Sequence, residues 1–259
     1  MEPIISIRNL SKSYGTKTVL QDINVEIYPG QVIGYIGPNG AGKSTTVKIL
    51  CGLLTDYQGT VTVNGLDVKT QTLDVKRHIG YIPELAELYD VLTPNEYLHF
   101  TATLYSLEKD VATERIEKIM AAFGLEANLN QRMDTFSKGM RQKVLIASGL
   151  LHNPGIIILD EPLSGLDANS VIIMKELISR LARDGKTIFY CSHMMDVVEK
   201  VSDRIVLING GRIVADGSFD ELKQQQGDKS LEQIFASLTA TDSLSAAADE
   251  LAKAMESRS

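Results

Sequence analysis

The chain has 259 residues, 44% hydrophobic and 23% charged, with a net charge of −7. That is ordinary for a globular protein able to bury a sizeable core, either one large domain or one domain with an appendage. The acidic balance argues against a nucleic-acid surface, which needs clustered Lys and Arg, so no nucleic-acid partner is expected. No apolar run approaches the roughly 18–20 residues of a membrane span. Met1-Glu2-Pro3 has neither the basic start nor the apolar stretch of a signal peptide. Cys51 and Cys191 fall in predicted core elements far apart in sequence, as inert thiols in a reducing compartment do.

Over the first ~30 residues apolar and polar positions alternate (Ile5, Ile7; then Ile23, Val25, Ile27), which predicts antiparallel strands with one solvated face. Val32 to Ile36 is a continuous apolar run and predicts a buried strand. It is followed by Gly37-Pro38-Asn39-Gly40-Ala41-Gly42-Lys43-Ser44, a complete phosphate-binding loop, and then by a predicted helix from Thr45 to Leu54. Glycines let successive backbone N–H groups turn inward toward phosphate oxygens, and the helix N-terminus adds partial positive charge. Lys43 suits the β- and γ-phosphates, the Ser44 hydroxyl suits Mg²⁺, and Thr45 completes the nucleotide-binding set. The loop therefore predicts a nucleoside triphosphate as ligand, with Mg²⁺.

Thr60 to Val63 reads as another strand and ends in the turn pair Asn64-Gly65. Three later runs, Ile79 to Ile82, Ile156 to Leu159 and Thr187 to Cys191, are almost wholly apolar or β-branched, as parallel strands buried on both faces are. Between the first two, a stretch opening at Thr93-Pro94-Asn95-Glu96 combines a helix cap, a first-turn proline and a capping-box carboxylate. It predicts a helical subdomain over about residues 84–152, inserted in an α/β core. The strand Ile156 to Leu159 delivers Asp160 and Glu161 at its C-terminal edge, where a Mg²⁺–nucleotide site needs carboxylates. Asp160 is assigned to Mg²⁺ and Glu161 to polarising the attacking water.

Farther on, Arg204 to Ile208 and Arg212 to Ala215 flank Asn209-Gly210-Gly211 as a hairpin. Phe219 to Lys223 and Leu231 to Leu238 read as short helices separated by a polar linker, Gln224 to Asp228. In the tail, Leu244, Ala247, Ala248, Leu251, Ala254 and Met255 fall at helical spacing on one stripe. The predicted class is α/β: a P-loop NTPase core with a mainly parallel sheet, an N-terminal antiparallel β subdomain and an inserted α-helical subdomain.

Taken in order, the phosphate loop, Phe136-Ser137-Lys138-Gly139-Met140, Asp160-Glu161-Pro162, Ser164-Gly165-Leu166-Asp167 and His193 resemble the ATP-binding subunit of an ABC transporter, over roughly residues 4 to 238. The resemblance implies an ATPase domain over 1–217 with a C-terminal helical extension and tail over 218–259. It implies that Tyr14 stacks on adenine, that Ser137 and Gly139 meet the γ-phosphate held by the opposite subunit of a dimer, and that Asp167 communicates between the two sites. His193 matches the histidine that bonds the γ-phosphate and orients water, making Glu161, His193 and Lys43 the catalytic set. It also implies a separate integral membrane permease as partner, a homodimer or a heterodimer, and a peripheral place on the cytoplasmic face of the membrane.

Two departures stand out. The signature stretch usually reads Leu-Ser-Gly-Gly-Gln, so Phe136, Lys138 and Met140 are substitutions. Glu84 replaces a glutamine beside the nucleotide and is assigned to Mg²⁺ with Ser44 and Asp160. Both departures resemble a branch that drives export of drugs, antibiotics, ions or polymers. Two rival readings stay open: a soluble ATPase of the superfamily acting on ribosomes or DNA, and a regulatory ATP-binding module without turnover. The single cassette and the short span from Ser44 to Asp160 speak against the first; intact Lys43, Glu161 and His193 speak against the second.

Overall fold

The computed structural model describes residues 2–85, 87–227 and 229–239. Strands β1 (Ile5–Tyr14) and β2 (Lys17–Ile27) pair antiparallel, and β4 (Gln58–Val63) and β5 (Leu66–Asp67) extend the sheet to the order β2-β1-β4-β5. Asn64 and Gly65 both take positive φ, 52° and 77°, which is the type I′ geometry that a two-residue hairpin between twisted strands requires. These strands form the antiparallel subdomain expected from the alternation.

The second sheet is built on β3 (Val32–Ile36). With β6 (Ile79–Ile82), β7 (Ile156–Asp160), β8 (Thr187–Cys191), β9 (Arg204–Asn209) and β10 (Arg212–Gly217) it runs in the order β10-β9-β3-β8-β7-β6. All neighbours pair parallel except the β9–β10 hairpin. The continuous apolar runs have a direct cause: side chains alternate between two separate cores. Val32, Ile157, Leu159, Ile188 and Tyr190 enter a core shared with the helices. Ile33, Tyr35, Ile156, Ile158, Phe189 and Cys191 enter a second core roofed by the antiparallel sheet. At about 25 cal/mol per Å² of apolar surface, burying both faces makes this sheet the main stabilising element.

Helix α1 (Lys43–Leu50) follows β3, and α2 (Thr72–His78) precedes β6. The helix expected over Thr45 to Leu54 is thus shorter at its end and begins two residues earlier. Cys51 caps it and Gly52, at φ 62°, turns the chain left-handed, so Leu53 and Leu54 lie outside. The inserted helices are α3 (Pro94–Leu104), α4 (Lys109–Ala122) and α5 (Lys138–Leu150). Thr93 and Glu96 close the reciprocal capping box at the head of α3. Leu98, Ile116, Met120 and Val144 seal these helices to the helix-side core.

Helix α6 (Ala168–Arg183) connects β7 to β8, and α7 (Met195–Val201) connects β8 to β9. After β10 come α8 (Phe219–Gln226) and α9 (Leu231–Leu238), each opened by a capping box, Ser218/Glu221 and Ser230/Gln233. The expected polar linker is corrected here. Gln224, Gln225 and Gln226 continue α8, because glutamine is a good helix former, and only Gly227, at φ 84°, ends it. Leu222, Leu231 and Ile234 are fully buried in the helix-side core. The amphipathic stripe from Leu244 to Met255 lies outside the described residues.

Candidate functional site

In an open α/β sheet ligands bind beyond the C-terminal ends of the strands, where the direction of connection reverses. Here β3 stands between β8 and β9, and the loop from Gly37 to Gly42 turns off its C-terminal end into α1. Gly42 is the N-cap of α1 at φ 111°, and a Cβ there would sit 2.5 Å from the Leu20 side chain and 2.9 Å from the Val19 carbonyl. Any other residue would be strained by conformation and by space at once. Ala41 is buried beneath the loop, and Gly37 begins it. Lys43 Nζ donates to Gly37 O at 2.6 Å and Pro38 O at 3.3 Å, so the ammonium folds over the loop and waits on weak neutral acceptors. Phosphate oxygens are stronger acceptors for it.

Across from the loop, Asp160 is the last residue of β7 and is 5% exposed. Burial pushes its carboxyl from the ordinary 3.8 up to about 6; the neighbouring Glu161 and Glu84 add to the rise, while Lys43 and the Ser44 hydroxyl oppose it. A buried carboxylate with like charges around it, beside the Ser44 side chain that lines the same cleft, is a site that gains from a divalent cation. Among the described residues no three His, Cys, Asp or Glu gather to hold a metal alone. Magnesium at nucleotides uses one or two carboxylates together with the phosphates, so the residues fit it.

The raised carboxyl has a stability consequence. A folded-state pKa above the unfolded one penalises the ionised folded protein; the penalty is complete above about pH 6 and disappears as pH falls through the unfolded value near 4. Asp160→Asn in nucleotide-free protein is therefore expected to gain up to ~3 kcal/mol at pH 7.5, shrinking toward zero near pH 4. Denaturant unfolding of both proteins across that range measures it.

Glu161, the next residue, has φ 50°, in the left-handed region where a non-glycine residue is strained. Its N–H donates to Cys191 O at 2.9 Å, which anchors the turn to β8. The strained backbone aims the side chain at the strand end beside it. Glu161 Oε2 lies 2.8 Å from His193 Nδ1 and accepts from Ser192 Oγ at 3.2 Å. Oε1 is left to accept a proton. The carboxylate is 12% exposed and the imidazole 72%, so a base held in a shallow wall is covered by a histidine open to the cleft.

One cleft of about 550 Å³ gathers Tyr14, Pro38, Asn39, Gly40, Gly42, Lys43, Ser44, Thr45, Glu84, Asp160, Glu161 and His193. That volume suits a nucleotide-sized ligand. Lys17 and Val19 also line it and were not singled out from the sequence. They arrive because β2 pairs back on β1 directly after Tyr14, with Tyr14 opposite Lys17. Ser192, which holds Glu161, was missed as well. A hydroxyl one residue before a candidate histidine is a signal, but a weak one.

Ser137, Gly139 and Asp167 are not on this cleft. Ser137 caps α5, its hydroxyl accepting from Met140 N at 3.3 Å. Gly139 faces Gly165 O, which a Cβ would approach to 2.9 Å, and Lys138 Nζ reaches Ser164 Oγ at 3.4 Å. Asp167 caps α6 by accepting from Ser170 N at 2.9 Å and Ser170 Oγ at 2.7 Å, and it pairs with Lys143 at 3.2 Å. The Ser170 hydrogen bonds, then Lys143, hold its carboxyl far below the usual carboxylate range. The N-terminus of α5 and the turn before α6 thus form a second polar surface of their own.

A family model described as "ABC transporter" matches residues 20–164. The chain is 37% identical over 239 residues to the ABC transporter ATP-binding protein NatA of Bacillus subtilis (strain 168), covering 90% of this chain and 97% of that protein. It is 34% identical over 234 residues to the linearmycin resistance ATP-binding protein LnrL of the same organism, covering 90% and 75%. A solved structure described as the ATP binding subunit of an ABC transporter superposes with a TM-score of 0.86 at 33% identity, covering 91% of this chain and 99% of the other.

Proposed function

This chain belongs to the ABC transporter family, as an ATP-binding subunit and P-loop ATPase, and on that premise we propose that it drives a separate membrane permease by ATP-dependent pairing and reopening of two copies. The observation that carries this reading is the division of the site. Lys43, Asp160, Glu161 and His193 share one cleft, while Ser137, Gly139 and Asp167 share another surface. Each surface is half of what an ATP molecule needs on its two sides. Two copies in opposite orientation bring the α5 N-terminus of one over the cleft of the other, as backbone amides and a hydroxyl at a helix start suit an anionic oxygen.

Within the closed pair, Lys43 exchanges its carbonyl contacts for the β- and γ-phosphates. Tyr14 carries the base, and the loop from Gly37 to Thr45 wraps the phosphates. Ser44, Asp160 and Glu84 would hold Mg²⁺, which would supply positive charge to offset that of the phosphates. Glu161 takes a proton from water as the water oxygen bonds to the γ-phosphorus and the bond to the β–γ bridging oxygen breaks, giving ADP and phosphate. His193 keeps Glu161 oriented and bonds the γ-phosphate. Product release removes the anion that held the two copies together, and the pair reopens.

Motion reaches the permease through the segment after Glu84. Leu85, Tyr89 and Val91 are large, exposed apolar residues there, and Asp90 pairs with Arg141 of α5, the helix that carries Ser137 and Gly139. Residues about Leu85 to His99 are the docking surface in this reading. No helix among the described residues is long and apolar enough to cross a membrane; in this reading the permease holds the chain at the cytoplasmic face. Export is favoured by the departures at Glu84, Lys138 and Met140 and by the resistance role in the name of LnrL. Glu161→Gln protein held in ATP and purified from detergent-solubilised native membranes is expected to bring down a multi-span membrane protein in fixed ratio. Ribosomes or DNA in its place would move the function to a soluble ATPase.

A further inference from the structure

Lys12 is buried, although a lone buried ammonium is costly and the residue lies two positions before Tyr14. Its Nζ meets Asp56 Oδ2 at 2.9 Å, forty-four residues away in the segment after α1. Asp56 is almost wholly exposed, so the pair is anchored from the lysine side. The same ammonium lies 4.8 Å from the centroid of the Tyr14 ring. Tyr14 lines the nucleotide cleft, whereas Lys12 does not; Lys12 and Asp56 line a separate surface depression with Tyr57 and Gln58. The cation therefore approaches the ring from outside the cleft, and the ring, half exposed, presents itself to the ligand.

We propose that Lys12 is a positioning residue for the nucleotide base, acting through Tyr14. An ammonium over one part of an aromatic ring is attracted to its negative π-face. That attraction fixes the rotamer of a side chain that would otherwise rotate freely at the strand end, so less freedom is lost when a base stacks on it. It also draws π-density toward the cation, which lowers repulsion between the ring and the π-cloud of a stacked purine. Asp56 holds the ammonium in place, and β1, bulged on either side of Lys12, brings the two side chains together. The inference rests on Tyr14 carrying the base and adds the residue that prepares it.

The test is a double-mutant cycle on the full chain, read by calorimetric affinity for MgATP and for magnesium tripolyphosphate, which has no base. Lys12→Met is expected to weaken MgATP about three- to tenfold. It is expected to leave tripolyphosphate unchanged and to have no further effect in Tyr14→Ala protein, while Lys12→Arg keeps wild-type affinity. Equal losses for both ligands, or an undiminished loss in the Tyr14→Ala background, would overturn the inference alone, because Lys12 would then act on the phosphate loop or on folding. MgATP affinity unmoved by Tyr14→Ala would remove the base-stacking role of Tyr14 and the inference with it. Retained tripolyphosphate binding by Lys12→Met shows that the protein tested is folded.

Discussion

Glu161→Gln is expected to bind MgATP with near wild-type affinity and to lose turnover by roughly 10²–10⁴-fold, the range associated with a positioned general base. Glutamine preserves the shape and can still accept from Ser192 Oγ, which now donates to Glu161 Oε2 at 3.2 Å. What it cannot do is take a proton from water through the oxygen that His193 and Ser192 leave open. Affinity by calorimetry and turnover by phosphate release separate the two effects. A Glu161→Gln protein with wild-type turnover would show that the strained, left-handed Glu161 serves the fold and that the base lies elsewhere. A protein that loses affinity in proportion would show that the carboxylate binds nucleotide rather than activating water.

Lys43→Ala acts at the opposite end of the cleft and is expected to lose both properties. Each charge-assisted hydrogen bond from an ammonium to phosphate is worth about 1.5–3 kcal/mol, so MgATP affinity falls roughly 10- to 100-fold. Turnover at saturating nucleotide falls by a further ~10²–10³, because the cation also faces charge that develops on the transferred group. The fold should survive. Lys43 Nζ now contacts only the carbonyls of Gly37 and Pro38, and deleting it leaves those acceptors in a cleft open to water. Unfolding midpoints without nucleotide should therefore match wild type, and the gain of stability on adding the same excess of MgATP should shrink by about 1.4–2.7 kcal/mol.

Legibility in the sequence followed the range of the interactions. Thr93 to Glu96 was readable because a capping box is complete within four residues. The strands Val32 to Ile36 and Ile156 to Leu159 were readable because burial on both faces leaves no polar position. The phosphate loop was readable because its glycines, lysine and serine are contiguous. The end of α1 was misplaced because apolar Leu53 and Leu54 continue the helical pattern past Gly52, whose left-handed conformation decides the matter. The helical state of Gln224 to Gln226 was missed because propensity and the cap at Ser218 outweighed polarity.

The site divides along the same line. The loop residues, Glu84, Asp160 and His193 meet in one cleft because β3, β8, β7 and β6 lie side by side in a sheet whose order departs from chain order, and Tyr14 reaches it from the end of β1 in the other sheet. No spacing rule gives that. Family resemblance supplied the roles of Tyr14, Glu84 and His193. Lys17, Val19 and Ser192 went unnoticed because each is an ordinary residue until pairing of β1 with β2 carries the first two to the wall and the turn after β8 sets Ser192 against Glu161. The contact of Lys12 with Asp56 is likewise a product of tertiary packing, whereas Tyr14 lies near it along the same strand.

In the proposed cycle the Lys43 cleft of one copy and the Ser137 surface of another close on ATP. Its most direct test is the sedimentation mass of Glu161→Gln protein with and without MgATP, alongside the same protein carrying Ser137→Glu. The account predicts a single-chain mass without nucleotide and a doubled mass with it. It predicts that Ser137→Glu, by setting a carboxylate against the γ-phosphate, abolishes the doubling while the chain still binds MgATP. A mass that stays that of one chain at saturating MgATP, or a doubling indifferent to Ser137→Glu, would contradict it.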